Sequence, residues 1–176
     1  MTDSTTLVQT VTAESLTQLL QDAGYRVNRS EQNGSVQLLS ASQGVGFSVR
    51  FGNPGPQAGE FVDYTLSCAL RVQGELSADF VAGWNVAKRF ARLTVQGGSF
   101  LVLEFDVIVA GGVSQSHVRA VTELWDHLLQ EFLLFLRQYA HQTVASQQGA
   151  SSVAPQDQAV AVEEGSAQSA AVHDAA

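Results

Sequence analysis

The chain has 176 residues, nine of them basic and seventeen acidic, giving a net charge of −8. That length sets one domain with room for a tail, and its 45% hydrophobic content is enough to fill a core. The acidic balance, with a pI near 4.8, excludes a general binder of nucleic acid or of anionic membrane surfaces. A single cysteine, Cys68, excludes an internal disulfide framework. The opening "MTDSTTLVQT" lacks the basic start and apolar run of a secretory signal, and no stretch reaches membrane-spanning length. The expected location is the cytoplasm.

The first predicted element is a helix capped by Thr12, with Leu16, Leu19, Leu20 and Ala23 on one stripe and Gly24 as its left-handed stop. Three short strands follow, around 25–30, 35–41 and 45–51, with the "NG" of 33–34 as a turn. The segment "GNPGPQAG", 52–59, is too rich in Gly and Pro for a regular element. In "FVDYTLSCALRVQ", 61–73, the even positions Val62 to Val72 are apolar and the odd positions mostly polar. This alternation predicts a strand with one dry and one wetter face. Cys68 falls on the dry face, where a thiol is inert.

Ser77 caps a second predicted helix, to about Lys88, with Phe80, Trp84 and Ala87 on one stripe. Its Ala78, Ala82, Gly83 and Val86 form a narrow surface that another backbone could approach closely. Lys88 and Arg89 are expected in its last turn, where positive charge complements the helix dipole. Arg92 belongs to the next strand, which pairs with "FLVLEFDVIVA" through the three-residue loop Gly97, Gly98 and Ser99. That register sets Arg92 opposite Glu104, with Asp106 one diagonal step away. The basic group Lys88, Arg89 and Arg92 is therefore mainly structural, and a phosphate grip is the disfavoured alternative.

The same register sends Phe100, Val102 and Ile108, beside Phe90 and Arg92, to the face away from the core. Apolar side chains among charges mark an interaction surface, unless they are isolated or covered by the 52–59 loop. A last helix, from a Ser114 cap to about His141, carries a wide apolar stripe including Trp125, Phe132 and Tyr139. It is expected to lie on the sheet, with any excess width packing on another subunit. From Ser146 the composition turns small, polar and acidic, so residues 1–145 are read as the domain and 146–176 as a disordered acidic tail.

Nothing points to catalysis. His117, His127, His141 and His173 form no metal-ligand pattern, and Glu123 with His127 reads as a solvated helix face. No phosphate loop or nucleophile elbow is present. The expectation is no enzyme, no cofactor and no metal.

Trp84-Asn85, Arg89-Phe90-Ala91-Arg92, Leu103 with Asp106, Gly111-Gly112-Val113 and the opening "LTQLLQDAGYRV" together resemble the YbjN family, over roughly residues 12–140. The resemblance implies a regulator of sensory transduction, with a fold similar to type III secretion chaperones, small α/β homodimers that hold extended client segments. The expected architecture is α+β, an antiparallel sheet with helices on one face, in the order α-β-β-β-β-α-β-β-α. The function implied is a homodimeric, chaperone-like adaptor that binds another protein, and a small-ligand-sensing regulatory domain is the alternative. The resemblance implies a dimer seam near the 77–88 helix and the strand after it, which the small surface of Ala78, Ala82, Gly83 and Val86 supports, with the 114–141 helix as rival. Phe90, Arg92, Phe100, Val102 and Ile108 are the candidate partner-binding residues.

Overall fold

Thr12 starts the first helix through a reciprocal capping box. Its hydroxyl accepts from Ser15 N–H at 3.0 Å, and Ser15 Oγ accepts from Thr12 N–H at 2.9 Å. The structure, a computed structural model, describes residues 7–32, 34–73 and 76–150. Helix α1 (Ala13–Asp22) buries Leu16 and Leu20. It ends in a Schellman motif, with Gly24 N–H donating to Gln21 C=O and Tyr25 N–H to Leu20 C=O, Gly24 taking φ 91°. Because Tyr25 N–H is committed to the helix end, strand β1 (Asn28–Gln32) starts three residues later than the sequence suggests.

Strands β2 (Ser35–Ser42), β3 (Val45–Phe51) and β4 (Asp63–Arg71) continue an antiparallel meander. Helix α2 (Ala78–Ala87), capped by the Ser77 hydroxyl on Phe80 N–H at 3.3 Å, leads to β5 (Arg92–Gln96) and β6 (Phe100–Ile108). The six strands lie in the order β1-β2-β3-β4-β6-β5, so the returning β6 inserts between β4 and β5. The hairpin has the expected register, Arg92 opposite Glu104 and Leu93 opposite Leu103, and Gly97 and Gly98 take positive φ in its loop.

Period-two alternation sends Leu38, Val49, Leu66, Cys68, Leu93, Leu101 and Leu103 to one face. There they share a single core with Leu16 and Leu20 of α1, Phe80 and Trp84 of α2, and Val121, Trp125, Leu129 and Phe132 of helix α3 (Gln115–Ala150). Three helices thus cover one face of the sheet, and the element order is the one expected. Ala87, placed on the buried stripe of α2 by its spacing, is exposed at the last turn instead. Among the described residues no helix is long and apolar enough to cross a membrane.

Helix α3 (Gln115–Ala150) continues past the expected end near His141. Residues 142–150 hold Ala and Gln, good helix formers, and no proline, so the helix outlasts its apolar stripe. The chain divides into the units Met1–His141 and Gln142–Ala176. Residues 146–150, read as the start of a tail, are helical, and the rest of that tail lies outside the described residues.

Candidate functional site

The Trp84-Asn85 pair fastens the segment that follows it. The Trp84 indole N–H donates to Ala91 C=O at 3.1 Å, while the ring is fully buried. Asn85 Nδ2 donates to Leu93 C=O and its Oδ1 accepts from Leu93 N–H, both at 2.9 Å. Sequence reasoning missed this role for Asn85. The available signal was a poor helix former placed just inside a helix end, where side chains compete for backbone partners.

The three basic residues have separate fates. Lys88 is the C-cap of α2 rather than a member of its last turn, and no basic residue lies in that turn. Its ammonium instead reaches Glu131 of α3 at 2.7 Å. The dipole reading of Lys88 and Arg89 is therefore corrected: the helix stops early enough for Lys88 to find a carboxylate 43 positions along the chain. Arg89 lies beyond the helix, its guanidinium 5.1 Å from the Phe90 ring centre. Arg92 sits 3.4 Å from Glu104 and 3.7 Å from Asp106. Arg50 of β3 also pairs with Glu104, and Thr65 Oγ1 donates to Asp106 at 2.7 Å.

This lattice occupies the sheet face opposite the helices. In register, Arg50, Arg71 and Arg92 share that face with Asp63, Glu104 and Asp106, an even balance of charge. Phe100 and Ile108 stand there 42% and 66% exposed. Val102 shares the face but is only 5% exposed. A short branched side chain between Phe100 and Glu104, opposite Ala69 and Thr94, is shadowed by longer neighbours. Its expected role as an open contact residue is corrected to a buried support.

Phe90 departs from the expected grouping too. Its ring lies 6.4 Å from that of Phe105, a core-facing residue, so it marks the β5 edge rather than the open face. The 52–59 loop is pinned to Asp63, which accepts from Asn53 N–H at 3.1 Å. A Cβ on Gly52 would collide with the Asp63 carboxylate, which explains the glycine. The loop leaves Ile108, opposite Asp63, exposed. On α2, Ala78, Ala82 and Gly83 are exposed, and Val86 is 89% exposed.

The polar chemistry elsewhere is structural. Asp126 of α3 accepts from Gln43 Nε2 at 3.1 Å, from Tyr25 OH at 3.5 Å, and from Ser42 Oγ. It anchors the β2–β3 turn, where Gln43 takes φ 54°. Burial, then the Asp126 charge, raises the Tyr25 hydroxyl pKa. Cys68 is fully buried, and that burial pushes its thiol up to about 11, the opposite of an activated nucleophile. No group of metal-ligating side chains occurs among the described residues. A groove of about 170 Å³ between α1 and the start of α3 is floored by Val11, Leu16 and Val118 and flanked by Asp22 and Arg119. It is smaller than the roughly 300 Å³ at which ligand sites usually begin.

A family model for YbjN, described as "Putative bacterial sensory transduction regulator", matches residues 12–138. Among solved structures, the chain is similar to "Crystal structure of YbjN, a putative transcription regulator from E. coli", with a TM-score of 0.56 and 18% identity. The match covers 78% of this chain and 96% of that one, and at such identity it carries the fold alone. No curated protein matches the chain.

Proposed function

This chain belongs to the YbjN family, and we propose that within it the chain is a non-enzymatic, homodimeric, chaperone-like adaptor or regulator that binds another protein in the cytoplasm. The observation that carries the reading is the one-sided sheet. Three helices cover one face, while the other presents Phe100 and Ile108 around the Arg50–Glu104–Arg92–Asp106 lattice. Exposed apolar groups within a balanced set of charges suit a protein segment of mixed character. A polyanion such as nucleic acid would call for an uncompensated basic stripe.

Self-association is assigned to α2. Small side chains at Ala78, Ala82 and Gly83 allow close approach, and the exposed Val86 supplies apolar surface beside them. The rival function, a small-ligand sensor, rests on the groove between α1 and α3.

Two measurements separate the readings. Photo-crosslinkers placed at Phe100 and Ile108 in the full chain should capture another protein. A metabolite that raises the thermal midpoint at micromolar concentration, with no protein captured at either position, would overturn the adaptor reading in favour of the sensor.

A further inference from the structure

Phe90 is held in a conformation that an aromatic residue rarely takes. It is the middle residue of a γ-turn closed by Ala91 N–H donating to Arg89 C=O at 2.9 Å, with φ at 74°. The positive-φ form of this turn is rare and strained, and only glycine adopts it freely. Even so, Phe90 is 62% exposed, with Phe105 and Arg89 against its ring.

The turn is fastened on both sides. Lys88 N–H bonds to Trp84 C=O, the Trp84 indole bonds to Ala91 C=O, and Asn85 brackets Leu93. Strain held in place at an exposed side chain points to function, because a ring fixed before binding loses little freedom on binding. Charge adds the second half of the argument. Lys88 is paired with Glu131, and Arg92 with Glu104 and Asp106. Arg89 has no carboxylate partner among the described residues, and it stacks on Phe90.

We propose that Arg89 and Phe90 form an anchor for an acidic–apolar segment of another protein, the ring receiving an apolar side chain and the guanidinium a neighbouring carboxylate. Arg and aromatic residues are the types that dominate binding energy at interfaces, and Arg donates two parallel N–H bonds to a carboxylate from a planar fork. A second copy fits poorly, since a symmetric contact centred here would set two unpaired Arg89 side chains face to face. The anchor rests on the adaptor reading and gives it a partner chemistry.

The test is photo-crosslinking in cells from p-benzoylphenylalanine at position 90 of the full chain, beside the same probe at 100 and at 108. The expected captured peptides come from another protein and carry Asp or Glu within a few residues of a large apolar side chain. Capture of a second copy, or of this chain's own "VAVEEG" at 160–165, overturns the proposal, as does capture of segments lacking carboxylates. Silence at 90 with capture at 100 or 108 sinks the anchor and leaves the adaptor reading standing. Silence at all three positions removes both.

The captured segment, made as a peptide, then gives a second arm. Phe90→Gly should lower its affinity at least about tenfold while leaving the thermal midpoint unchanged or higher, because glycine relieves the turn. Arg89→Glu should weaken it similarly. A Phe90→Gly protein of lower midpoint and undiminished affinity would mean the ring serves the fold alone, and the anchor would fall.

Discussion

Asn85 closes the outer edge of β5 by pairing its side-chain amide with both backbone groups of Leu93, each at 2.9 Å. An edge strand exposes unpaired N–H and C=O groups that invite another strand, and a bracketing side chain removes one such pair. Asn85→Ala should cost about 1–3 kcal/mol, since two hydrogen bonds go and Leu93 is left unpaired. Asn85→Asp should be at least as damaging, because a carboxylate would face the Leu93 carbonyl oxygen. Urea unfolding checks both. A neutral Asn85→Asp would show that the bracket does not support β5.

The hairpin was legible for a simple reason. Period-two alternation in "FLVLEFDVIVA" and a glycine loop together fix register, so Arg92 opposite Glu104 could be read from neighbours in sequence. The order of elements was legible for the same kind of reason, since Thr12, Ser77 and Gly24 act locally. Depth was not. Parity puts Val102 on a face without telling how tall its neighbours stand, and it fails for Phe90, where the γ-turn breaks the alternation. Partners distant along the chain were also out of reach. Ser42 with Asp126 and Lys88 with Glu131 are pairings that only the assembled helix α3 brings about.

The two faces of β6 give a sharper test than parity alone would. Leu103→Glu buries an unpaired carboxylate in the core and should cost several kcal/mol or unfold the domain. Val102→Glu, on the other face, should also be clearly destabilising, by about 1–3 kcal/mol, because the site is nearly dry and Glu104 of the same strand is a like charge. Phe100→Glu and Ile108→Glu should stay within about 1 kcal/mol of the parent, as both side chains already meet water. Denaturant midpoints for the four variants decide the matter. A Val102→Glu protein as stable as Ile108→Glu would contradict the sunken centre of that face.

Gly83 separates fold from assembly. A Cβ there would meet Phe135 Cζ at 3.8 Å, an ordinary contact, so alanine fits the protomer. Gly83→Ala should raise protomer stability by about 0.5–1 kcal/mol, the usual gain for removing glycine from a helix interior. Gly83→Leu and Val86→Glu should give monomers in multi-angle light scattering, since each blocks the close approach that α2 is proposed to make. A dimer that survives both substitutions would move the seam to α3.

Stability should fall at alkaline pH, and Cys68 sets the window. Burial raises its thiol from an ordinary 9.0 to about 11 in the folded chain. Between those values the unfolded chain loses this proton while the folded chain keeps it, so stability decreases as pH rises. The contribution is fully present below pH 9 and is lost through pH 11. Its size is roughly 2–3 kcal/mol, from about 1.4 kcal/mol per pKa unit. Cys68→Ala lacks this titration while keeping every tyrosine, so the difference in unfolding free energy between parent and variant isolates the thiol. At pH 8 the variant should be less stable by its small cavity, about 1–2 kcal/mol. By pH 11 that deficit should close or reverse. A deficit constant from pH 8 to pH 11 would show that the thiol meets water in the folded protein, against its full burial between Leu66 and Leu70 on β4.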